Sequence, residues 1–345
     1  MKYHNITHWE EVLNIDDIMK EYEGDKKKVL SLLKTNPQAL TKIWTEILGN
    51  DTQCKMNIFQ DSKYACANCQ NMSHIIDTPN IGEPFVVETG GLVGKLLLLT
   101  ETKVPYAYLT INNNKIKGDA FTMKVLMLWI IEDTFIIPNA IQLKTAFLCN
   151  HVGYTLYVAP TINNSLCDFD QIMNLKPSIY GILSQVIVIF NELKKLNFIL
   201  GRPSVYSFLF DKKPCSFLYH DKEIKSPYTL FLADVSQSSL TVHGVHLSSD
   251  HIDVHNYTKC IDIKGDQYKV KSFFKITDIQ KPGLDFYQTL LSMFESEHFY
   301  PQLQNDDKAL EIFNRLLPLK DIENDDILET IWLYKDPVGI ALNLL

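Results

Sequence analysis

One segment limits the folds open to this chain more than any other. From Pro177 to Leu196, the residues Ile179, Ile182, Leu183, Val186, Ile189, Phe190 and Leu193 recur at helical spacing. The longest apolar run within it, Ile182 to Phe190, is interrupted by Ser184 and Gln185 and is too short to cross a bilayer. The spacing predicts a buried helix, which needs other elements packed around it. At 345 residues the chain can supply them, as one large domain or two modest ones.

Upstream, Trp9 to Leu48 carries helical periodicity, with Val12, Leu13, Ile15 and Ile18, then Val29, Leu30, Leu32 and Leu33. Asn36 and Pro37 suit the start of a third helix. Asn50 to Pro84 is polar, rich in turn formers, and reads as a connector. From Phe85 the texture changes. Phe85 to Glu88, Leu96 to Leu99 and Tyr106 to Ile111 are short apolar runs between turn residues, which predicts antiparallel strands. Asp119 to Asp133 then reads as one amphipathic helix on Ala120, Met123, Leu126, Met127, Ile130 and Ile131. Strands are predicted near Ala146–Cys149 and Thr155–Ala159.

After Asn164 the pattern is mainly helical, with later helices at Leu284–Phe294 and Lys308–Leu317. Short strands are predicted at Phe208–Phe210, Phe217–Tyr219 and Leu230–Ala233. A small sheet with one helix, followed by a larger helical region, is an α+β arrangement of two lobes. The expected divisions are a helical N-terminal extension over 1–84, a small lobe over 85–160 and a large lobe over 161–345.

Three short stretches carry candidate chemistry. Gly90-Gly91-Leu92-Val93-Gly94-Lys95 places glycines between two strands, where backbone amides can approach phosphates closely, although a Gly-Gly turn is also an ordinary hairpin. Leu200-Gly201-Arg202-Pro203-Ser204-Val205-Tyr206-Ser207 follows the long helix. Ala233-Asp234-Val235-Ser236 follows the apolar run Leu230 to Leu232.

In order and spacing these stretches resemble the protein kinase fold, most closely the divergent serine/threonine kinase-like proteins of large DNA viruses. The resemblance covers roughly 85–299. It implies a bilobal fold: a small antiparallel β lobe with one helix, then a mainly helical lobe. It also implies what is missing. Thr110 stands at the position of the phosphate-pairing lysine, and threonine supplies no cation. Leu200, Arg202 and Ser207 stand where the family has a histidine, an aspartate base and a metal-binding asparagine. A guanidinium cannot accept the hydroxyl proton, and its charge repels magnesium.

Asp234 remains at the metal-loop aspartate, with Val235 and Ser236 replacing the aromatic residue and glycine that follow. Gly90, Gly91, Gly94 and Asp234 are thus a nucleotide-binding remnant. Glu132, near the end of the small-lobe helix, reads as the paired carboxylate or as a surface acid. Asp285 is similar to the buried aspartate that braces the catalytic loop, and a role as a helix N-terminal acid explains it equally. The segment from Asp211 to Thr229 is an insertion.

Cys54, Cys66, Cys69 and His74 have the spacing C-x11-C-x2-C-x4-H. They read as a zinc site or as reduced cysteines in a loop, and metal analysis of the purified protein separates the two. His243, His246, His251 and His255 read as alternating strand residues rather than ligands. No hydrolase elbow, Walker loop or zinc-protease helix motif occurs.

A net charge of −8 argues against general nucleic-acid binding or strong affinity for anionic membranes, and Lys26-Lys27-Lys28 reads as a solvated helix face. Seven irregularly spaced cysteines and an amino terminus without an apolar leader predict an intracellular chain. The sequence therefore leads to an expectation of a catalytically inactive kinase-like protein of a large DNA virus. It would act on host or viral protein partners, in the host cytoplasm or the virion, without a cofactor. Two alternatives stand beside it. One is an active atypical kinase using ATP and magnesium through Asp234, with Lys95 as a displaced lysine. The other is a structural protein of unrelated fold.

Overall fold

The computed structural model describes residues 85–89, 92–99, 107–112, 118–149, 152–158, 166–167 and 169–345, except 202, 234, 236–237, 243–244, 249–257, 264–265 and 272–281. The chain divides into two units, the first comprising the described residues up to Thr134, Ala140–Asn164 and Thr241–Asp250. The second comprises Phe135–Asn139, Ser165–Leu240 and His251–Leu345. Mixed helix and strand gives the α+β class expected. Among the described residues, no helix is long and apolar enough to cross a membrane.

In the first unit, strands β1 (Phe85–Thr89), β2 (Leu92–Leu99) and β3 (Ala107–Asn112) precede helix α1 (Gly118–Thr134). Strands β4 (Gln142–Cys149) and β5 (Val152–Val158) follow. The five strands form one antiparallel sheet in the order β1-β2-β3-β5-β4. Helix α1 corrects the sequence reading in one respect. Val125, Leu126, Met127, Leu128, Trp129, Ile130 and Ile131 are all buried, so this stretch of the helix is buried on every side rather than on one. Its end is closed by the Thr134 hydroxyl, which donates to the Ile130 carbonyl at 2.6 Å.

In the second unit, β6 (Leu166–Cys167) and α2 (Phe169–Met173) lead to the central helix α3 (Ile179–Lys195). Ser178 caps α3, its hydroxyl accepting the Gly181 N–H at 3.2 Å. The seven apolar residues predicted to be buried are buried. So are Ser184, Gln185, Ile187, Val188, Asn191 and Glu192, so α3 has no wet face along most of its length.

Strand β7 (Phe198–Ile199) and a 3-10 turn (Val205–Ser207) come next, then β8 (Phe208–Asp211), β9 (Cys215–Tyr219), β10 (Lys222–Ser226) and β11 (Thr229–Leu232). The segment from Asp211 to Thr229 carries the β9–β10 hairpin, paired from Lys222–Tyr219 to Ser226–Cys215. Gly181 lets it approach α3, since a Cβ there would sit 3.1 Å from Ser226 Oγ and 3.3 Å from its Cα. Strand β11 pairs with β8, and β8 with β6.

Strand β12 (Ser239–Val242) pairs with β7 through Ser239 and Leu240, while β13 (Val245–Ser248) belongs to the first unit. Strands β14 (Thr258–Ile263) and β15 (Asp266–Lys271) form a hairpin. The remainder is helical: α4 (Pro282–Met293), α5 (Phe299–Leu303), α6 (Asp307–Leu316), α7 (Asp325–Trp332) and α8 (Pro337–Leu344). The region after Asn164 therefore holds more short strands than its apolar pattern predicts. Rings link the helices, with Phe286 of α4 at 5.3 Å from Phe190 of α3 and 5.8 Å from Trp332 of α7.

Gln185 is the polar hub of this core. Its Oε1 accepts from the Asn139 side chain at 3.0 Å and from the Leu230 N–H at 2.9 Å. Its Nε2 donates to the carbonyls of Tyr228 and Gly181. Asn139 in turn donates to the Leu230 carbonyl at 2.7 Å, and its own carbonyl accepts the Leu232 N–H. Replacing Gln185 with leucine strands several buried donors and acceptors, which costs about 3 kcal/mol. Lys194 and Asp336 form an ion pair whose side chains are 41% and 53% exposed, so Lys194→Ala costs about 0.5 kcal/mol. Urea unfolding of the two variants should rank them in that order, with Gln185→Leu several-fold the more damaging.

Candidate functional site

Two loops of the second unit carry the positions singled out in the sequence. The first begins where α3 ends. Asn197 takes φ 51°, a left-handed conformation that asparagine tolerates, and its N–H returns to the Lys194 carbonyl at 3.0 Å. Two residues of β7 follow, then Leu200 and Gly201. Gly201 has φ 87°, which a side chain would strain.

The loop is held from beneath by one face of α4. Asp285, 3% exposed in the first turn of that helix, accepts the Leu200 N–H at 2.6 Å and also the Gly201 N–H. One and two turns on, Thr289 donates to the Asp285 carbonyl at 3.0 Å, and the Ser292 hydroxyl accepts the Val205 N–H at 2.8 Å. Asp285, Thr289 and Ser292 follow i, i+4, i+7 spacing, which puts all three on the same side of the helix.

Ser207, where the resemblance implies a metal-binding asparagine, is 1% exposed. Its hydroxyl accepts the Ser204 N–H at 3.1 Å, while its own N–H donates to the Ser204 carbonyl at 3.0 Å. The side chain is thus used to close the turn. The Ser207 carbonyl accepts the Ala233 N–H at 3.0 Å, which ties the second loop to the first. In that second loop Val235 is buried, and its carbonyl accepts both the N–H and the hydroxyl of Ser238.

The structure therefore brings together Leu200 and Gly201 with Asp285, Val205 with Ser292, and Ser207 with Ala233. Arg202, Asp234, Gly90, Gly91, Cys54, Cys66, Cys69 and His74 lie outside the described residues, as do the predicted helices over 9–48 and His243, His251 and His255. His246 is on β13. In the first unit Gly94 lies on β2, opposite Asn112 of β3, and Glu132 is half-buried on the last turn of α1. Thr110 pairs with Leu96 of β2 and Thr155 of β5, and Lys95 pairs with Ile111. Successive strand positions alternate between faces, so position 95 belongs to the opposite sheet face from position 110. Among the described residues, no group of three or more histidine, cysteine, aspartate and glutamate side chains is arranged to hold a metal ion.

Sequence reasoning missed Thr289, Ser292 and Asn139. The first two were visible as small polar residues at helical spacing from Asp285 within an otherwise apolar helix. No protein family's sequence profile matches the chain, and comparison with curated protein sequences finds no match either.

Burial pushes the Asp285 carboxyl up to about 7, against the two amides of Leu200 and Gly201, which favour the charged form. Its folded value lies above its unfolded one. The contribution is therefore complete below about pH 4 and is lost as pH rises through 7. Asparagine keeps an acceptor for the loop and does not titrate. Between pH 5 and pH 8 the stability of the native chain should fall by about 2 kcal/mol relative to Asp285→Asn. Paired urea titrations at the two pH values read this difference, and parallel behaviour of the two proteins would remove the assignment.

Proposed function

We propose that this chain is a kinase-like protein without phosphoryl transfer, which acts by binding protein partners, host or viral, of a large DNA virus. Its place of work is the host cytoplasm or the virion. One observation carries the reading: the buried Asp285 holds the N–H groups of Leu200 and Gly201, immediately before Arg202. An acid bracing the loop at that point is what the resemblance implies, and the residue next in sequence is a cation that cannot act as a base.

Further features support the same reading. The antiparallel five-stranded sheet has a single helix between its third and fourth strands. Helix α3 leads into the braced loop, and β8 and β11 pair where two apolar strands are implied on either side of the insertion. On the chemical side, the Ser207 hydroxyl is engaged in its own turn. Position 95 is out of register with position 110, which argues against Lys95 as a displaced lysine and so against the atypical kinase.

Nucleotide binding separates the readings. A single carboxylate without lysine or asparagine is a poor site for magnesium and triphosphate. The melting temperature of the full chain should move by less than about 1 °C on adding millimolar ATP and magnesium, since a ligand stabilises only in proportion to its binding. A shift of several degrees that disappears in Asp234→Ala would establish the atypical kinase instead.

A further inference from the structure

We propose that the open edge of β9 is a self-association surface: it pairs, antiparallel and about a two-fold axis, with β9 of a second copy of this chain. Strands β9 and β10 form a sheet of their own, with no further strand on either side among the described residues. The register fixes which main-chain groups face outward. The turn His220-Asp221 closes the hairpin, so Tyr219 and Lys222 exchange the first pair of bonds. Phe217 with Ile224, and Cys215 with Ser226, exchange the next ones. The N–H and C=O groups of Ser216 and Leu218 therefore point away from β10.

An edge of this kind accepts another strand unless something guards it. The two edges of the hairpin differ in this respect. On β10 the outward-pointing positions are Glu223 and Lys225, both exposed and paired with each other at 2.7 Å. Charged side chains are a usual guard. On β9 they are Ser216 and Leu218, both uncharged and exposed, Leu218 by 69%. Ile224 and Ser226 of β10 are buried, and Ser226 lies against Gly181 of α3, which leaves β9 as the outboard strand.

A second copy suits this edge because the edge is short and complementary to itself. Pro214 has no N–H to offer at one end, and at the other His220 and Asp221 take left-handed conformations, φ 45° and 64°. Ser216 and Leu218 are what remain. Setting Ser216 opposite Leu218 of the second copy lets both residue pairs exchange N–H and C=O bonds. An axis at Ser216 would instead set Leu218 against Pro214, and an axis at Leu218 would set Ser216 against the turn at His220. With the axis at Phe217, that half-buried ring meets its own mate in a non-hydrogen-bonded position, where Cβ atoms lie about 5 Å apart and aromatic pairs stabilise a sheet. The same register brings Lys213 level with Asp221 of the second copy, opposite charges on exposed side chains.

The contact is small, so the association is weak, with a dissociation constant on the order of 10 µM. Sedimentation equilibrium of the full chain should therefore find mainly monomer at about 1 µM and mainly dimer at about 100 µM. Ser216→Pro removes one outward donor in each copy without touching the pairing to β10, and should weaken the dimer roughly tenfold. Ser216→Ala keeps the N–H and should stay within about twofold of the native chain. Hydrogen–deuterium exchange on the native chain locates the surface: the Ser216 and Leu218 amides should exchange roughly fivefold more slowly at the higher concentration. A chain that remains monomeric at about 100 µM overturns the proposal and leaves the edge to an extended segment of another protein. A dimer that survives Ser216→Pro, or that forms without slowing those amides, overturns it as well.

Discussion

Helix α3 buries polar side chains as well as apolar ones, and the way those polar groups are satisfied fixes what can pack around it. A buried amide or carboxylate without partners costs several kcal/mol, so each must meet a particular neighbour rather than any apolar surface. Gln185 is met by β11 and by Asn139, while Asn191 and Glu192 are met by Tyr219 of the hairpin. The apolar residues of the same helix would accept many arrangements of rings and branched chains. The polar ones accept few. This is why the β9–β10 hairpin between β8 and β11 packs closely: it supplies the hydroxyl that a buried glutamate and asparagine require.

The sequence made the long elements legible because their signals were long. Strands β1 to β5, α1, α3, α4 and α6 all fall where apolar spacing or strand texture predicted them, within a few residues. What escaped was of two kinds. Helices α7 and α8 are eight residues each, too short for a periodicity to declare itself, yet both begin at a capping residue. Asn324 and Asp336 accept the N–H three residues on, and Pro337 sits in the first turn, so the start signals were in the sequence without a long pattern to attach them to. The second kind was orientation. Where α1 and α3 are buried on every side, one-sided apolar spacing understates the burial.

The site was legible to a different degree. Position and order came from the resemblance, and the residues that would carry chemistry, Arg202 and Asp234, announce their own limits through charge alone. The support beneath Leu200, Gly201 and Val205 did not show. Ser292 and Thr289 are common residues in a helix interior, where their hydroxyls usually bond back to the preceding turn. Thr289 does so here, whereas Ser292 also receives the Val205 N–H from another part of the chain. Only a fold can distinguish those uses.

Asp285 fixes the course of its loop without reference to the side chains that the loop carries. The carboxyl is buried, and its partners are main-chain N–H groups of Leu200 and Gly201, which are present whatever side chains the loop carries. The brace therefore does not depend on which residue type follows Gly201, while removing Asp285 would leave two buried donors unmet. A buried acid held by main-chain N–H groups is evidence of architecture, and by itself it carries no chemistry.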